Sequence, residues 1–105
     1  MNDPTYVEAA RFLAQRMMRG GPDPEQRIAL AFRLAVARPP QAKELTVLAA
    51  GFRRMLADYR ADSAAADELL KTGETLADPA LDRAELAAYT TVASTLLNLD
   101  ETITK

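Results

Sequence analysis

Apolar residues recur every three or four positions along this chain, and the stretches that carry this spacing are cut apart by Asp-Pro, Pro-Pro and Gly-Gly punctuation. Spacing of three and four puts side chains on one face of an α-helix, whereas a half-buried strand needs strict alternation. No alternating run competes, and β-branched residues are scattered. The chain is therefore expected to be all-α, with each cut read as a cap or a stop.

At the start, Asn2 or Asp3 offers a side-chain acceptor to the free amides of a first helix, Pro4 suits its opening turn, and Gly20 is expected to end it in the left-handed conformation. Tyr6, Val7, Ala10, Leu13, Ala14 and Met17 supply the buried face, while Glu8, Arg11, Gln15 and Arg19 fall largely off it. Phe12 and Met18 sit at the edge of that stripe, where a second contact surface would lie. Asp23-Pro24-Glu25 repeats the start signal, since Asp23 caps, Pro24 takes the first position and an acid meets the positive helix end. The second helix runs to about Ala37. Its stripe of Ile28, Ala31, Phe32 and Ala35 is widened by Leu30, Leu34 and Val36, which predicts a central position.

Arg38-Pro39-Pro40 stops that helix, because each proline lacks an amide and pushes its predecessor out of helical angles. A third helix from Gln41 to about Arg60 is expected to be the longest, about 30 Å. Gly51 interrupts it at a cost of about 1 kcal/mol relative to Ala, so either another backbone comes close there or the glycine is tolerated. Asp62-Ser63 caps a short helix to Lys71 with Gly73 as its stop. Residues 73–81 have no period, contain an Asp78-Pro79 turn and are expected to be the most mobile loop. Asp82 and Glu85 have the spacing of a capping box, in which each side chain bonds the other's amide. The last helix begins there. It buries Leu86, Tyr89, Val92, Ala93, Leu96, Leu97 and Ile103, and is expected to fray after Asn98 or Leu99. The expected fold is a compact bundle of four main helices plus one short helix, with residues 1–105 forming a single helical domain.

The chain has 105 residues and contains neither cysteine nor histidine. Disulfides, thiolate nucleophiles and zinc-thiolate sites are thereby excluded, as is an imidazole base. Any catalysis would run on carboxylates, hydroxyls, Lys or Arg. No apolar run approaches the roughly 18 residues of a membrane span, and no basic leader precedes an apolar stretch, so no membrane insertion is expected. Charge is unevenly spread: residues 1–60 carry ten Lys or Arg against six Asp or Glu, and residues 61–105 carry three against nine. Either the two halves neutralise one another by packing side by side, or an acidic face is left for a basic partner.

Three stretches carry a resemblance: Met1-Asn-Asp-Pro-Thr-Tyr-Val-Glu-Ala-Ala-Arg11, Phe32-Arg-Leu-Ala-Val-Ala-Arg-Pro-Pro-x-x-x-Glu44, and Val92-Ala-Ser-Thr-Leu-Leu-Asn-Leu-Asp-Glu101. Together they resemble the C-terminal part of a planctomycete-type domain-of-unknown-function family, whose members accompany cytochrome-c-like domains in long exported proteins. Met1 stands where that family tends to have Leu, and Gln41 where a Thr often caps the next helix. The resemblance implies that the chain is the C-terminal piece of a larger exported or periplasmic protein. It implies no activity.

Arg38 and Glu44 flank the turn between the second and third helices and match the family's Arg-Pro-Pro-x-x-x-Glu pattern. They are read as a corner lock, with the cation on one helix's last turn and the anion on the next helix's first. Asn2, Asp3 and Glu8, or Asn98, Asp100 and Glu101, lack the spacing of a calcium loop and are read as caps and solvated surface. Arg53, Arg54 and Arg60 with Arg11, Arg16 and Arg19 hint at a nucleic-acid surface, but the acidic balance and the few aromatics speak against it. No catalytic, metal or cofactor site is expected. The leading expectation is a non-catalytic structural or interaction module that packs on the remainder of its parent chain. The alternatives are a fragment completing an enzyme site formed by other residues, and a self-associating domain.

Overall fold

The computed structural model describes residues 4–72 and 77–104, with side chains described for 5–72 and 77–99. Five helices follow one another: α1 (Pro4–Met18), α2 (Pro24–Val36), α3 (Ala42–Ala61), α4 (Ser63–Leu70) and α5 (Arg83–Thr104). The described residues contain no strand, and the fold is all-α.

The start signals act as chemistry dictates. Pro24 opens α2, and Asp23 accepts the Gln26 amide at 2.8 Å. Asp62 does the same for α4, accepting the Ala65 amide. Pro4 is the first residue of α1, while the expected cap at Asp3 and the stop at Gly73 lie outside the described residues.

The helix at the centre is α5, not α2. It packs against all four others, and five successive residues, Leu86 to Thr90, are buried, so this segment is covered all round. Ala87, Ala88 and Ala93 keep its surface low and let the neighbours close in. The extra apolar residues of α2 misled because apolar surface is often left in water: Leu34 is largely exposed and Val36 only half-buried. With 22 residues α5 is also longer than α3, and its helical backbone continues to Thr104 instead of ending near Leu99. Ile103 lies beyond the described side chains.

One core joins the five helices. Ala10, Ala14 and Met17 of α1, Ile28 and Phe32 of α2, and Ala66 and Leu70 of α4 enclose the Leu86–Leu96 face of α5. On the α3 side the ring of Phe52 stacks on that of Tyr89, with centroids 4.1 Å apart and planes 22° from parallel.

Two expectations about turns need revision, and the open choice at Gly51 falls to tolerance. Gly20 is not left-handed; a Cβ there would meet Cδ2 of Leu30, a side-chain end that would have to shift. The left-handed residue is Ala37, at φ 66° and ψ 26°, which ends α2 one residue before the expected boundary and donates its amide to Arg33 O at 3.0 Å. Gly51 has open space above it, with nothing within 4 Å of a built Cβ, so the bundle itself does not require a glycine there.

Candidate functional site: charged corners and an apolar groove

Arg11, expected on the open side of α1, is almost fully buried. Its Nη1 donates to the carbonyls of Leu70 at 3.0 Å and Thr72 at 2.9 Å, and its Nη2 lies 3.5 Å from Glu8. The guanidinium thus supplies donors to the carboxyl end of α4, where carbonyls lack partners of their own and the helix dipole is negative. Gln15, one turn on, accepts the Asp78 amide at 3.1 Å, and Arg19 bonds the Asp78 carboxylate. The described part of the 73–81 loop is therefore fastened to α1. Residues 73–76 of this loop lie outside the described residues. The spacing held a signal for Arg11: it stands four after Val7 and three before Ala14, on the flank of the buried stripe.

At the α2–α3 corner Arg38 and Glu44 meet. Arg38 Nη1 and Nη2 donate to the two carboxylate oxygens of Glu44, each at 2.9 Å, and the guanidinium lies 4.8 Å from the Phe32 ring centroid. Glu44 Oε1 also accepts the Gln41 amide at 2.8 Å. Arg38 therefore bonds the carboxylate rather than the last carbonyls of α2. These hydrogen bonds, from Arg38 first and the Gln41 amide second, hold the Glu44 carboxyl down at about 2. Pro39 and Pro40 lie between them in the α2–α3 connection, where their fixed φ limits the chain's freedom.

The amino end of α5 gathers a second charged group. Asp82 Oδ2 accepts the Glu85 amide at 2.9 Å, which is one half of the expected capping box. The other half gives way to ion pairing: the Glu85 carboxylate faces Arg27 at 3.7 Å and Arg60 at 3.6 Å, and Arg60 also reaches Asp82 at 3.7 Å. Arg27 donates to Gly21 O at 2.8 Å and to the Tyr89 hydroxyl at 3.3 Å. Burial pushes the Tyr89 phenol above its ordinary value, against the lowering effect of the Arg27 hydrogen bond. Nearby, Arg53 bonds Glu25 at 2.7 Å, tying α3 to the start of α2 and lowering the Glu25 carboxyl.

These contacts account for much of the charge asymmetry. Arg19, Arg27 and Arg60, from the basic half, all pair with acids of the acidic half. Of the six arginines weighed as a nucleic-acid surface, Arg11 is buried and Arg19, Arg53 and Arg60 are ion-paired within the chain. Among the described residues no group of three or more acidic side chains is arranged to hold a metal ion. The Asn2, Asp3 and Glu8 reading and that of Asn98, Asp100 and Glu101 both include residues outside the described side chains.

What the charged corners leave over is an apolar depression between α3 and α5, which sequence patterning did not reveal. One part, of about 290 Å³, is lined by Val47, Leu48, Gly51, Arg54, Met55, Thr91, Val92 and Thr95. A second depression of about 320 Å³ shares Val47 and Leu48 with it and reaches Phe32, Leu99, Lys43 and the corner at Glu44. Val47, common to both, is 62% exposed, and Leu99 is also exposed. The hydroxyls lining it are occupied within α5, Thr91 bonding Ala87 O at 3.1 Å and Thr95 bonding Thr91 O at 3.1 Å. A third depression, between α1, α4 and α5, is lined by Val7, Ala10, Leu69, Thr90, Thr91, Ser94 and Thr95 and holds no titratable group.

Residues 1–52 match the model of a family described as a protein of unknown function, DUF1553. The match spans α1, α2 and the first half of α3, and so takes in the Arg38–Glu44 corner, while the 92–101 stretch lies outside it. No curated protein and no solved structure matches the chain.

Proposed function

We propose that this chain is a non-catalytic helical interaction module that holds another polypeptide segment in the α3–α5 groove. The observation that carries the reading is Val47, an aliphatic side chain standing 62% exposed where two apolar depressions meet. A single exposed apolar residue is ordinary, but one continuous with Leu48, Met55, Val92, Leu99 and the edge of Phe32 forms a surface whose burial is favourable. The polar side chains support the same reading from the other side. Arg11, Arg27 and Arg53 bond from one helix to another and Arg38 closes the α2–α3 corner, which leaves them to the fold.

The sequence resemblance, rather than the groove itself, suggests a role inside a larger protein, and the remainder of such a parent chain is the first segment to test against the groove. A photo-crosslinking residue at Val47 in the full-length polypeptide checks this, with the same residue at exposed Glu68 on α4 as control. The expected result is an adduct at Val47 whose partner peptide is identified by mass spectrometry, absent from the Glu68 control. If Val47 captures no polypeptide beyond the control, the groove is not a docking site and the reading fails.

A further inference from the structure

We propose that the occupant of the α3–α5 groove is a second copy of this chain, with the two α3 helices crossing antiparallel at Ala50–Gly51. This names the partner in the docking role proposed above and rests on it. The outer face of α3 carries Lys43, Val47, Ala50, Arg54 and Asp58, spaced by three and four, and all of them are exposed. Lys43, Arg54 and Asp58 have no ion-pair partner among the described residues, unlike Arg53 and Arg60 on the same helix.

The order of these residues is self-complementary. In a twofold pair, residue i of one copy meets residue j of the other and j meets i. Lys43 and Asp58 lie 15 positions apart, about 22 Å along the helix, and the point midway between them falls between Ala50 and Gly51. An antiparallel crossing at that point sets Lys43 of each copy against Asp58 of the other. It also sets Val47 against the aliphatic stem of Arg54, which covers apolar surface while its charge stays in water. Beside Ala50, Gly51 leaves the crossing point open, since nothing stands within 4 Å of a Cβ built there. A neutral amphipathic helix would fill the groove equally well, but it would leave Lys43 and Asp58 without partners, whereas a second copy satisfies both twice.

Light scattering on the 105-residue chain over a dilution series tests the proposal. The expected mass rises toward twice 11.5 kDa with concentration. Lys43→Asp and Asp58→Lys each set like charges opposite one another at two places, so each is expected to weaken the dimer by about tenfold. The double exchange, carrying Lys43→Asp and Asp58→Lys together, should restore it. Both changes favour the helix dipole of α3, so unfolding is not the expected cause of a loss, and helical circular dichroism checks this. Val47→Arg, at an exposed position, places like charge against Arg54 and should also give a monomer.

A mass of 11.5 kDa up to about millimolar chain overturns the proposal, as does a dimer indifferent to either single reversal or a double exchange that fails to restore it. If the chain is monomeric while Val47 still crosslinks to another part of its parent polypeptide, the second copy is excluded and the docking role stands. If neither occurs, both fall.

Discussion

The Arg38 guanidinium and the Glu44 carboxylate face each other through two parallel hydrogen bonds, each of 2.9 Å, across the Pro39-Pro40 turn. Exposed ion pairs contribute little on average, but this one is bidentate, shares its carboxylate with the Gln41 amide and sits over the Phe32 ring. Because the Glu44 carboxyl is held down at about 2 in the folded chain, from an ordinary 4.5, the unfolded chain binds the extra proton between those values. The stabilisation from Glu44 is thus fully present above pH 4.5 and is lost as pH falls toward 2. Arg38→Ala is expected to lower Tm by several degrees at neutral pH. Glu44→Gln should flatten the fall in Tm across the acid window, so an unchanged acid limb in that variant would remove the pair from the stability of the corner.

A second expectation concerns Arg11, whose Nη1 is shared between the Leu70 and Thr72 carbonyls. Arg11→Ala removes the buried donors and leaves a void, two effects that together cost about 2–4 kcal/mol. Arg11→Lys keeps the charge but lacks the fork of donors, so it should recover only part of that loss. Urea titration gives the comparison. If Arg11→Ala unfolds at the wild-type midpoint, the contact with α4 contributes nothing.

The helices were legible in the sequence because their signals are local. Asp23-Pro24 and Asp62-Ser63 set caps within three residues of themselves, and the apolar spacing of α1 and α5 needs no knowledge of neighbours. Arg38 and Glu44 were legible for the same reason, being six residues apart across one turn. What escaped depends on distant parts of the chain. The burial of Arg11 is set by a helix end about sixty residues away, and the central place of α5 by four helices that converge on it. The groove is a juxtaposition of Val47 and Met55 with Thr91 and Val92, which no spacing along one helix encodes.

Ala37 supplies a third test, because it holds a left-handed conformation that costs a residue with a Cβ roughly 1–2 kcal/mol. Glycine adopts it freely but loses more entropy on folding, which offsets part of the gain. Ala37→Gly should therefore raise stability by about 0.5–1 kcal/mol and Tm by a few degrees. A lower Tm would mean that the cap at the end of α2 is not left-handed in solution.

Gly51 presents the opposite case. It sits inside α3 with helical neighbours on both sides, and a methyl group added there would meet nothing within 4 Å. In a helix interior, glycine is less favourable than alanine by about 0.5–1 kcal/mol, chiefly through the entropy of the unfolded chain. Gly51→Ala should therefore stabilise the isolated chain by that amount, read as a shift of the denaturation midpoint at low concentration with the slope unchanged. A destabilised variant would require a close neighbour that the bundle does not provide. If the variant is more stable yet associates less, what Gly51 serves is the approach of a second α3 and not the fold of the first.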